Sequence, residues 1–332
     1  MKFRSRGRFN LKRWARAVDD RLRGTAFDRM LERARRERRR EFVFAWNRGL
    51  GDIALGLVPL FSRIRASVDG SRILIFTRRD LVEAFSLTGV DAIYSIDGLA
   101  RDTRIDIPAA AAKMRVALSS NAVVIGEPDP TRWLEGQRRL YPPVLHWQGA
   151  YDAHADALVP SFAGEIVIGA HVHSETAQYY GYVKDWPAQR WQSLIARFPA
   201  SRNVRWVLFG NEPGTAFDAD NVVDLRARTS FLALLAVIRT RCRILVAPDS
   251  GILTAAYYLE GDTPLELVSL WSDPRQGILK QACPSPNAHL RHTPLVGAHE
   301  DVRNISVDDV AAAIEAALTA AQPQLLHHAE AH

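Results

Sequence analysis

RILVAPDSGILTAAYY at residues 243–258 joins an apolar run to a stretch of small residues through Asp249, Ser250 and Gly251. The run at 243–247 predicts a buried strand, and the residues from Gly251 onward predict a helix through Tyr258. A strand followed directly by a helix is typical of parallel sheets, whose ligands bind beyond the carboxyl ends of the strands. The amide groups that open this helix, with the Ser250 and Thr254 hydroxyls, indicate a phosphate site. An ordinary Asp-Ser helix cap is the alternative interpretation of the same residues.

The same alternation of strand and helix extends over the chain in both directions. Further strands are predicted at 42–46, 72–77, 91–96, 121–126, 165–171, 204–209, 222–225 and 265–271. Five prolines between 128 and 160 interrupt the pattern, which indicates a domain boundary. We therefore predict an α/β protein with two doubly wound, Rossmann-like parallel-sheet domains that face a cleft. The expected ranges are 41–160 for the N-terminal domain, 161–322 for the C-terminal domain and 323–332 for a tail.

Basic residues are concentrated at the start of the chain. Residues 1–40 contain 16 Lys or Arg and 5 Asp or Glu, a net charge of +11, whereas the remaining residues contain 27 and 32, a net charge of −5. Apolar residues recur there at helical spacing, so two short amphipathic helices are predicted, one before and one after Gly24. Such helices favour an anionic membrane surface. Packing against the body, or binding to nucleic acid, are the alternatives, and nucleic acid is the least favoured.

Several other classes of protein are excluded by composition. The 332 residues include only two cysteines, Cys242 and Cys283, too few for a disulfide framework or a structural zinc site. No apolar run reaches the ~18 residues of a membrane span, and the charged first ten residues do not resemble a signal peptide. The expected location is cytoplasmic, with the basic extension at the inner face of the inner membrane as its peripheral contact.

Two further loops carry residues suited to chemistry. In NRGLGD at 47–52, Gly49 and Gly51 permit close approach to a ligand, and Asp52 is a candidate general base. A strand-to-helix turn with Asp52 as a helix cap explains the same residues, and the full G-x-G-x-x-G spacing is absent. Lys184 precedes a predicted helix at 187–198, so it can neutralise a diphosphate or remain a solvated loop lysine.

A pair of histidines raises the question of a metal. His171 and His173 lie at alternate positions, a spacing compatible with a metal ion, but no third ligand is specified. We therefore predict no metal site and expect these side chains to line a loop or contact substrate.

Taken together, the loops resemble glycosyltransferase family 9, the ADP-heptose:lipopolysaccharide heptosyltransferases. The resemblance extends from about residue 42 to 271. It is carried by NRGLGDIALGLVPL at 47–60, KDWPAQRWQSLI at 184–195, VLFGNE at 207–212, TSFLALLAVI at 229–238 and APDSGILTAA at 247–256. It implies a GT-B fold, in which the first domain binds the acceptor and the second binds a nucleotide sugar.

The resemblance also implies roles for individual residues. Asp52 corresponds to the catalytic base, and the loop that contains Asn47, Gly49 and Gly51 lines the acceptor side. Donor binding is implied for Lys184, Glu212, Thr229, Asp249, Ser250, Gly251 and Thr254. Among these, Lys184 contacts the diphosphate and Glu212 the ribose, while Asp249, Ser250 and Gly251 lie at the diphosphate and sugar. Thr254 stands where the family usually has His, so the identity of the donor sugar is less secure than the transferase class.

The resemblance implies an inverting, metal-independent transfer of a heptose-like sugar. The donor is a nucleoside-diphosphate sugar such as ADP-heptose, and the acceptor is lipopolysaccharide or another glycan; no resident cofactor is expected. A nucleotide-sugar epimerase or hydrolase with the same fold is one alternative. A non-catalytic GT-B-like binding protein is the other.

Overall fold

The computed structural model describes residues 24–135, 137–162, 164–174, 179 and 181–329. Its contacts divide the chain into two compact units. The first unit contains the described residues up to Asn47, together with Pro59–Arg79 and Val90–Tyr141. The second unit contains Arg48–Val58, Asp80–Gly89 and the described residues from Pro142 onward. Two short segments that precede residue 142 therefore pack with the C-terminal part of the chain.

The first unit has a parallel sheet of four strands in the described part of the chain. These are β1 Glu41–Trp46, β2 Arg72–Arg78, β3 Ala92–Ile96 and β4 Val123–Ile125, in the order β3-β2-β1-β4. β1 is central: Phe42 lies beside Ile73 of β2 and beside Val123 of β4. The chain thus adds strands on one side of β1 and then returns to the other, which creates a topological switch point at the carboxyl end of β1.

The helices, in chain order, are α1 Ala26–Arg36, α2 Val58–Ser67, α3 Val82–Ser86, α4 Ile107–Lys113, α5 Pro130–Trp133, α6 Ala153–Asp156, α7 Ala188–Arg197, α8 Phe231–Arg241, α9 Gly251–Tyr258, α10 Gly277–Gln281 and α11 Val307–Ala329. A π-helix, Ile53–Leu57, directly precedes α2. Several 3-10 turns connect the remaining elements. The segments between strands are mainly helical, as the alternation in the sequence predicts.

Helix α1 confirms the amphipathic helix predicted after Gly24. A capping box opens it: the Asp28 amide donates to the Thr25 hydroxyl, and the Asp28 carboxylate accepts from the Thr25 amide. Phe27, Leu31 and Ala34 are buried, and arginines occupy the last turn. The helix predicted before Gly24 lies outside the described residues.

The second unit has a six-stranded parallel sheet within the described residues. Its strands are β5 Ile166–His171, β6 Val204–Phe209, β7 Val222–Asp224, β8 Ile244–Pro248, β9 Leu265–Trp271 and β10 Leu290–Val296, in the order β10-β9-β8-β5-β6-β7. The chain proceeds from β5 to one edge and then returns to β8 on the other side of β5. The switch point of this sheet therefore lies between the carboxyl ends of β5 and β8.

The core of the second unit covers both faces of this sheet. Every residue of β8 and β9 is buried, as expected for central parallel strands with helices on either side. One cluster includes Trp186, Trp191 and Trp206, and another includes Tyr258 and Trp271. The predicted α/β class is thus confirmed, with one parallel sheet in each unit.

Two elements differ from the sequence-based expectation. β10 was not predicted, because its residues are only half-buried or exposed, and Arg291, His292 and Pro294 interrupt its apolar pattern, as is typical of an edge strand. α11 continues to Ala329, so it extends through Pro323 into the predicted tail at 323–332.

No helix among the described residues combines the length and the apolar character that crossing a bilayer requires.

Candidate functional site

The switch point of the second sheet brings together two loops with polar side chains. β5 and β8 are paired directly, with Ile168 opposite Ile244. His171, His173 and Ser174 lie at and just after the end of β5, and Asp249 follows β8. The Ser174 hydroxyl lies 3.5 Å from the Asp249 carbonyl oxygen, so the two loops are in contact.

Lys184 and Asp249 form an ion pair at this position. Lys184 Nζ lies 2.6 Å from Asp249 Oδ2, and the two side chains are only 14% and 11% exposed. The ammonium also lies 5.5 Å from the centre of the Tyr182 ring. The interpretation of Lys184 as a solvated loop lysine is therefore wrong, because its charge is largely removed from water and is paired.

The start of α9 has the cap that the sequence suggested. Ser250 is the N-cap, and its hydroxyl accepts a hydrogen bond from the Leu253 amide at 3.1 Å. The amides of Gly251 and Ile252 have no carbonyl acceptor within the helix, since the first turn leaves them unpaired there. Thr254 is 1% exposed, and its hydroxyl donates to the Ser250 carbonyl at 3.0 Å. Its only hydroxyl proton is thus used inside α9.

The glycine loop, residues 48–52, packs directly on the start of α9 within the second unit. A Cβ at Gly51 would lie 3.4 Å from Gly251 Cα and 3.5 Å from Thr254 Oγ1. A Cβ at Gly251 would lie 2.5 Å from Leu50 Cδ2 and 3.1 Å from the Gly51 nitrogen. A side chain at Gly251 would therefore clash with the Leu50 side chain and press against the Gly51 nitrogen, so glycine suits this contact.

Asp52 follows this contact and is exposed. It stands at the N-cap of the π-helix with right-handed helical backbone angles, and its side chain makes no capping hydrogen bond. The predicted strand-to-helix turn is thus present with Asp52 at the cap position, but the Asp52 side chain does not cap the helix. The π-helix is held from α10, where Gln281 Nε2 donates to the Leu55 carbonyl at 2.6 Å. One-turn π-helices are uncommon and frequently lie at functional sites.

Asn47 belongs to the first unit, whereas Gly49 and Gly51 belong to the second. Asn47 is buried, and its Nδ2 donates to the carbonyls of Ala100 and Thr103 at 2.6 and 2.8 Å. These bonds fix the end of β1 in its own unit. The acceptor role implied for the loop stays a prediction.

The loop after β6 is organised by Arg226, a residue that sequence reasoning missed. Glu212 is exposed in this loop. The guanidinium of Arg226 is buried, donates to the Thr215 carbonyl at 3.0 Å and pairs with Asp224 at 2.6 Å. Hydrogen bonds from Arg226 hold the pKa of Asp224 below its usual range. The role of Arg226 in this loop has no local signature, because 11 residues separate it from Thr215. The ribose role of Glu212 stays a prediction.

The start of α8 is already occupied by protein groups. Thr229 is half-buried and precedes Ser230, whose hydroxyl accepts from the Ala233 amide at 3.3 Å. The Glu83 carboxylate, which arrives from α3, accepts from the Leu232 amide at 2.9 Å. Glu83, too, was missed, since 149 residues separate it from Leu232.

His171 and His173 have different environments. His171 is buried, and burial first, then the charge of His173, lowers its pKa to about 4. His173 Nδ1 lies 2.9 Å from Asp185 Oδ2. Among the described residues, no three His, Cys, Asp or Glu side chains are grouped so that they could hold a metal ion.

Comparison with solved structures identifies the fold. The E. coli ADP-heptose lipopolysaccharide heptosyltransferase II matches with a TM-score of 0.61 at 15% identity, over 85% of this chain and 99% of that chain. A glycosyltransferase family 9 protein of Veillonella parvula matches with a TM-score of 0.56 at 15% identity, over 84% and 97%. The E. coli heptosyltransferase WaaC, solved with ADP, matches with a TM-score of 0.51 at 16% identity, over 83% and 99%.

No protein-family model matches the sequence, and no curated protein matches it. The structural matches cover nearly the whole length of the solved chains, so both units take part in the likeness. The α/β fold with two parallel sheets, predicted from the alternation of strand and helix, is therefore the fold of the glycosyltransferase family 9 and heptosyltransferase structures.

Proposed function

We propose that the protein is a glycosyltransferase that transfers a heptose-like sugar from a nucleoside-diphosphate donor to a glycan acceptor, with inversion and without a metal. The observation that carries this proposal is the convergence of three separate segments in one compact unit. Lys184 pairs with Asp249, and Gly51, next to Asp52, packs on Gly251 at the start of α9. The solved heptosyltransferases with this fold support the same conclusion.

The arrangement suits the departure of an anionic leaving group. Lys184 supplies a positive charge, and the first-turn amides of α9 supply hydrogen bonds together with the positive end of the helix dipole. Both are in place before reaction, so they stabilise negative charge as it develops on the diphosphate. These groups supply the charge compensation that a metal ion supplies in other transferases.

The proposed reaction uses Asp52 as the base. Its carboxylate takes the proton of an acceptor hydroxyl while the hydroxyl oxygen forms a bond to the anomeric carbon of the donor. The bond from that carbon to the diphosphate oxygen breaks, and its electron pair leaves with the nucleoside diphosphate. The Asp52 side chain is exposed, so an acceptor hydroxyl can approach its carboxylate from solvent.

We expect nucleoside diphosphates to stabilise the protein against heat. A ligand at 100 times its Kd stabilises by about 2.7 kcal/mol, which raises Tm by roughly 5–11 °C for a domain of this size. The measurement is the change in Tm in a thermal shift assay. The ligands compared are ADP, other nucleoside diphosphates, nucleoside-diphosphate sugars, AMP and adenosine. A response to diphosphates that exceeds the response to adenosine supports the proposal, whereas no response to any diphosphate contradicts it. Product from a donor sugar without acceptor would identify a hydrolase or epimerase instead.

We also propose that α1 brings the protein to an anionic membrane surface. Its exposed Arg33 and Arg35 have no carboxylate partner among the described residues. A cavity of about 280 Å³ lies beside α1 and is lined by both arginine and apolar side chains. The lining residues are Ala26, Arg29, Met30, Arg33, Ala34, Arg39 and Val123. Positive charge beside an apolar surface fits a lipid headgroup and the start of its chain.

The corresponding prediction concerns vesicle binding. Arg33→Gln/Arg35→Gln should weaken binding to phosphatidylserine-containing vesicles about 30-fold, since each basic residue near the surface contributes about 1 kcal/mol. Sedimentation with phosphatidylcholine vesicles gives the background. Lys113→Gln/Arg115→Gln removes two basic residues of the first unit outside α1 and should bind as the unaltered protein does. Equal binding by both variants would contradict the membrane role of α1.

A further inference from the structure

The ring of His173 is held by a carboxylate beside the Lys184–Asp249 pair. His173 Nδ1 lies 2.9 Å from Asp185 Oδ2, and the other oxygen of Asp185 accepts from the Ser174 amide at 2.7 Å. Asp185 directly follows Lys184 in the chain. The carboxylate therefore fixes both the imidazole and the loop after β5 to the segment that carries the lysine.

The second nitrogen of this ring lacks a partner. A carboxylate only accepts, so Nδ1 carries a proton and donates it to Asp185. Nε2 is fully buried and has no hydrogen-bond partner among the described residues. A buried polar atom left in this state costs about 1–3 kcal/mol, and such atoms in folded proteins call for an explanation. A bound group that accepts a hydrogen bond from Nε2 removes this cost.

The position of the ring indicates the chemistry of that group. Ser174, the next residue, reaches the Asp249 carbonyl, so the ring lies in the loop that contacts the start of α9. Asp185 contacts the ring, and Lys184, which precedes Asp185 in the chain, pairs with Asp249. Burial lowers the pKa of neighbouring His171 to about 4 and so keeps it neutral. The Thr254 hydroxyl already donates its proton to the Ser250 carbonyl, so it does not donate to a bound group. Among the described residues of the loop after β5, His173 is a side chain that can add a positive charge to the segment that carries Lys184.

We propose that His173 Nε2 takes up a proton when a nucleoside diphosphate binds and donates a hydrogen bond to a phosphoryl oxygen, with Asp185 as the positioning residue. This inference rests on the proposed function. In the transfer, the electron pair of the broken bond goes to the diphosphate oxygen, and the proton of the acceptor goes to Asp52. The imidazolium stabilises the charge that arrives on the diphosphate and changes no covalent bond.

Proton uptake is measurable directly. ADP is titrated calorimetrically at pH 8, where its last phosphate proton, with a pKa near 6, is already lost. Repeating the titration in buffers of different ionisation enthalpy gives the number of protons taken up. The unaltered protein should take up a proton with ADP, and His173→Gln should lose this uptake and bind ADP at least about tenfold more weakly. His154→Gln, an exposed histidine of the same unit, should leave both quantities unchanged.

The outcomes separate this inference from the proposed function. Failure of the unaltered protein to bind any nucleoside diphosphate contradicts the proposed function. ADP binding without proton uptake, or with uptake that persists in His173→Gln, overturns the role of His173 while the function stands. If His173→Gln does not fold, Asp185→Asn replaces it: reduced uptake supports the proposal, and unchanged uptake and affinity overturn it.

Discussion

Asp52→Asn is expected to lower kcat about 10²–10⁴-fold while ADP binding is retained, because a positioned base contributes that much to proton transfer. Asn has the same shape and cannot accept a proton. The side chain is exposed, so an isosteric substitution should leave the fold intact. The measurement is kcat and KM with the nucleotide sugar and glycan that give product with the unaltered protein, together with the Kd for ADP.

The matched control for this substitution is Asp69→Asn, at an exposed aspartate that follows α2. It should leave kcat, KM and the Kd for ADP unchanged. Near-normal turnover by Asp52→Asn would remove the carboxylate from the mechanism. A parallel loss of ADP binding would instead assign Asp52 to the structure of the donor site.

Lys184→Met is expected to have the largest effect on stability and to weaken ADP binding as well. The substitution leaves the Asp249 carboxylate, which is 11% exposed, without its partner at 2.6 Å. Removing one member of a buried pair costs about 3–5 kcal/mol; because these groups keep some contact with water, the lower end is expected. Urea or thermal unfolding of the second unit gives the loss, and calorimetry gives the affinity.

The double variant Lys184→Met/Asp249→Asn separates the two effects. Its unpaired charge is gone, so much of the stability should return, whereas ADP binding should remain at least about tenfold weaker since no cation has been restored. If the double variant regained full affinity for ADP, the lysine would have only a structural role. If Lys184→Met were as stable as the unaltered protein, the ion pair would contribute nothing to folding.

Much of the fold was predictable because its causes are local. Central parallel strands such as β8 and β9 are buried along their whole length, so they are continuous apolar runs in the sequence. Helix starts are marked by side chains that cap their own first turn, as Ser250 and Thr25 do. β10 escaped prediction for the opposite reason, since an edge strand needs only one apolar face and here contains a proline.

The candidate site was predictable only as separate residues. The sequence of the surrounding loop marked Asp52, Lys184 and Asp249 as candidate site residues. For each of them, a purely structural interpretation explained the same pattern. The solvated interpretation of Lys184 failed because Lys184 pairs with Asp249, a distant residue of the chain. Asp52 stands at the cap position, but its side chain makes no capping hydrogen bond. The Asp185 partner of His173 and the Glu83 carboxylate at α8 had no local signature, because each is defined by a partner on another element.

Residue order alone thus accounted for the class of fold, the parallel sheets and the chemical character of the loops, since periodicity and turn chemistry act over a few residues. Strand order, and with it the meeting of the loops after β5 and β8, depends on the burial of distant apolar surfaces against one another. The same long-range packing assigns Arg48–Val58 to the second unit and brings Gly51 onto Gly251. Without that contact, the glycine loop and the start of α9 would be two unrelated turns.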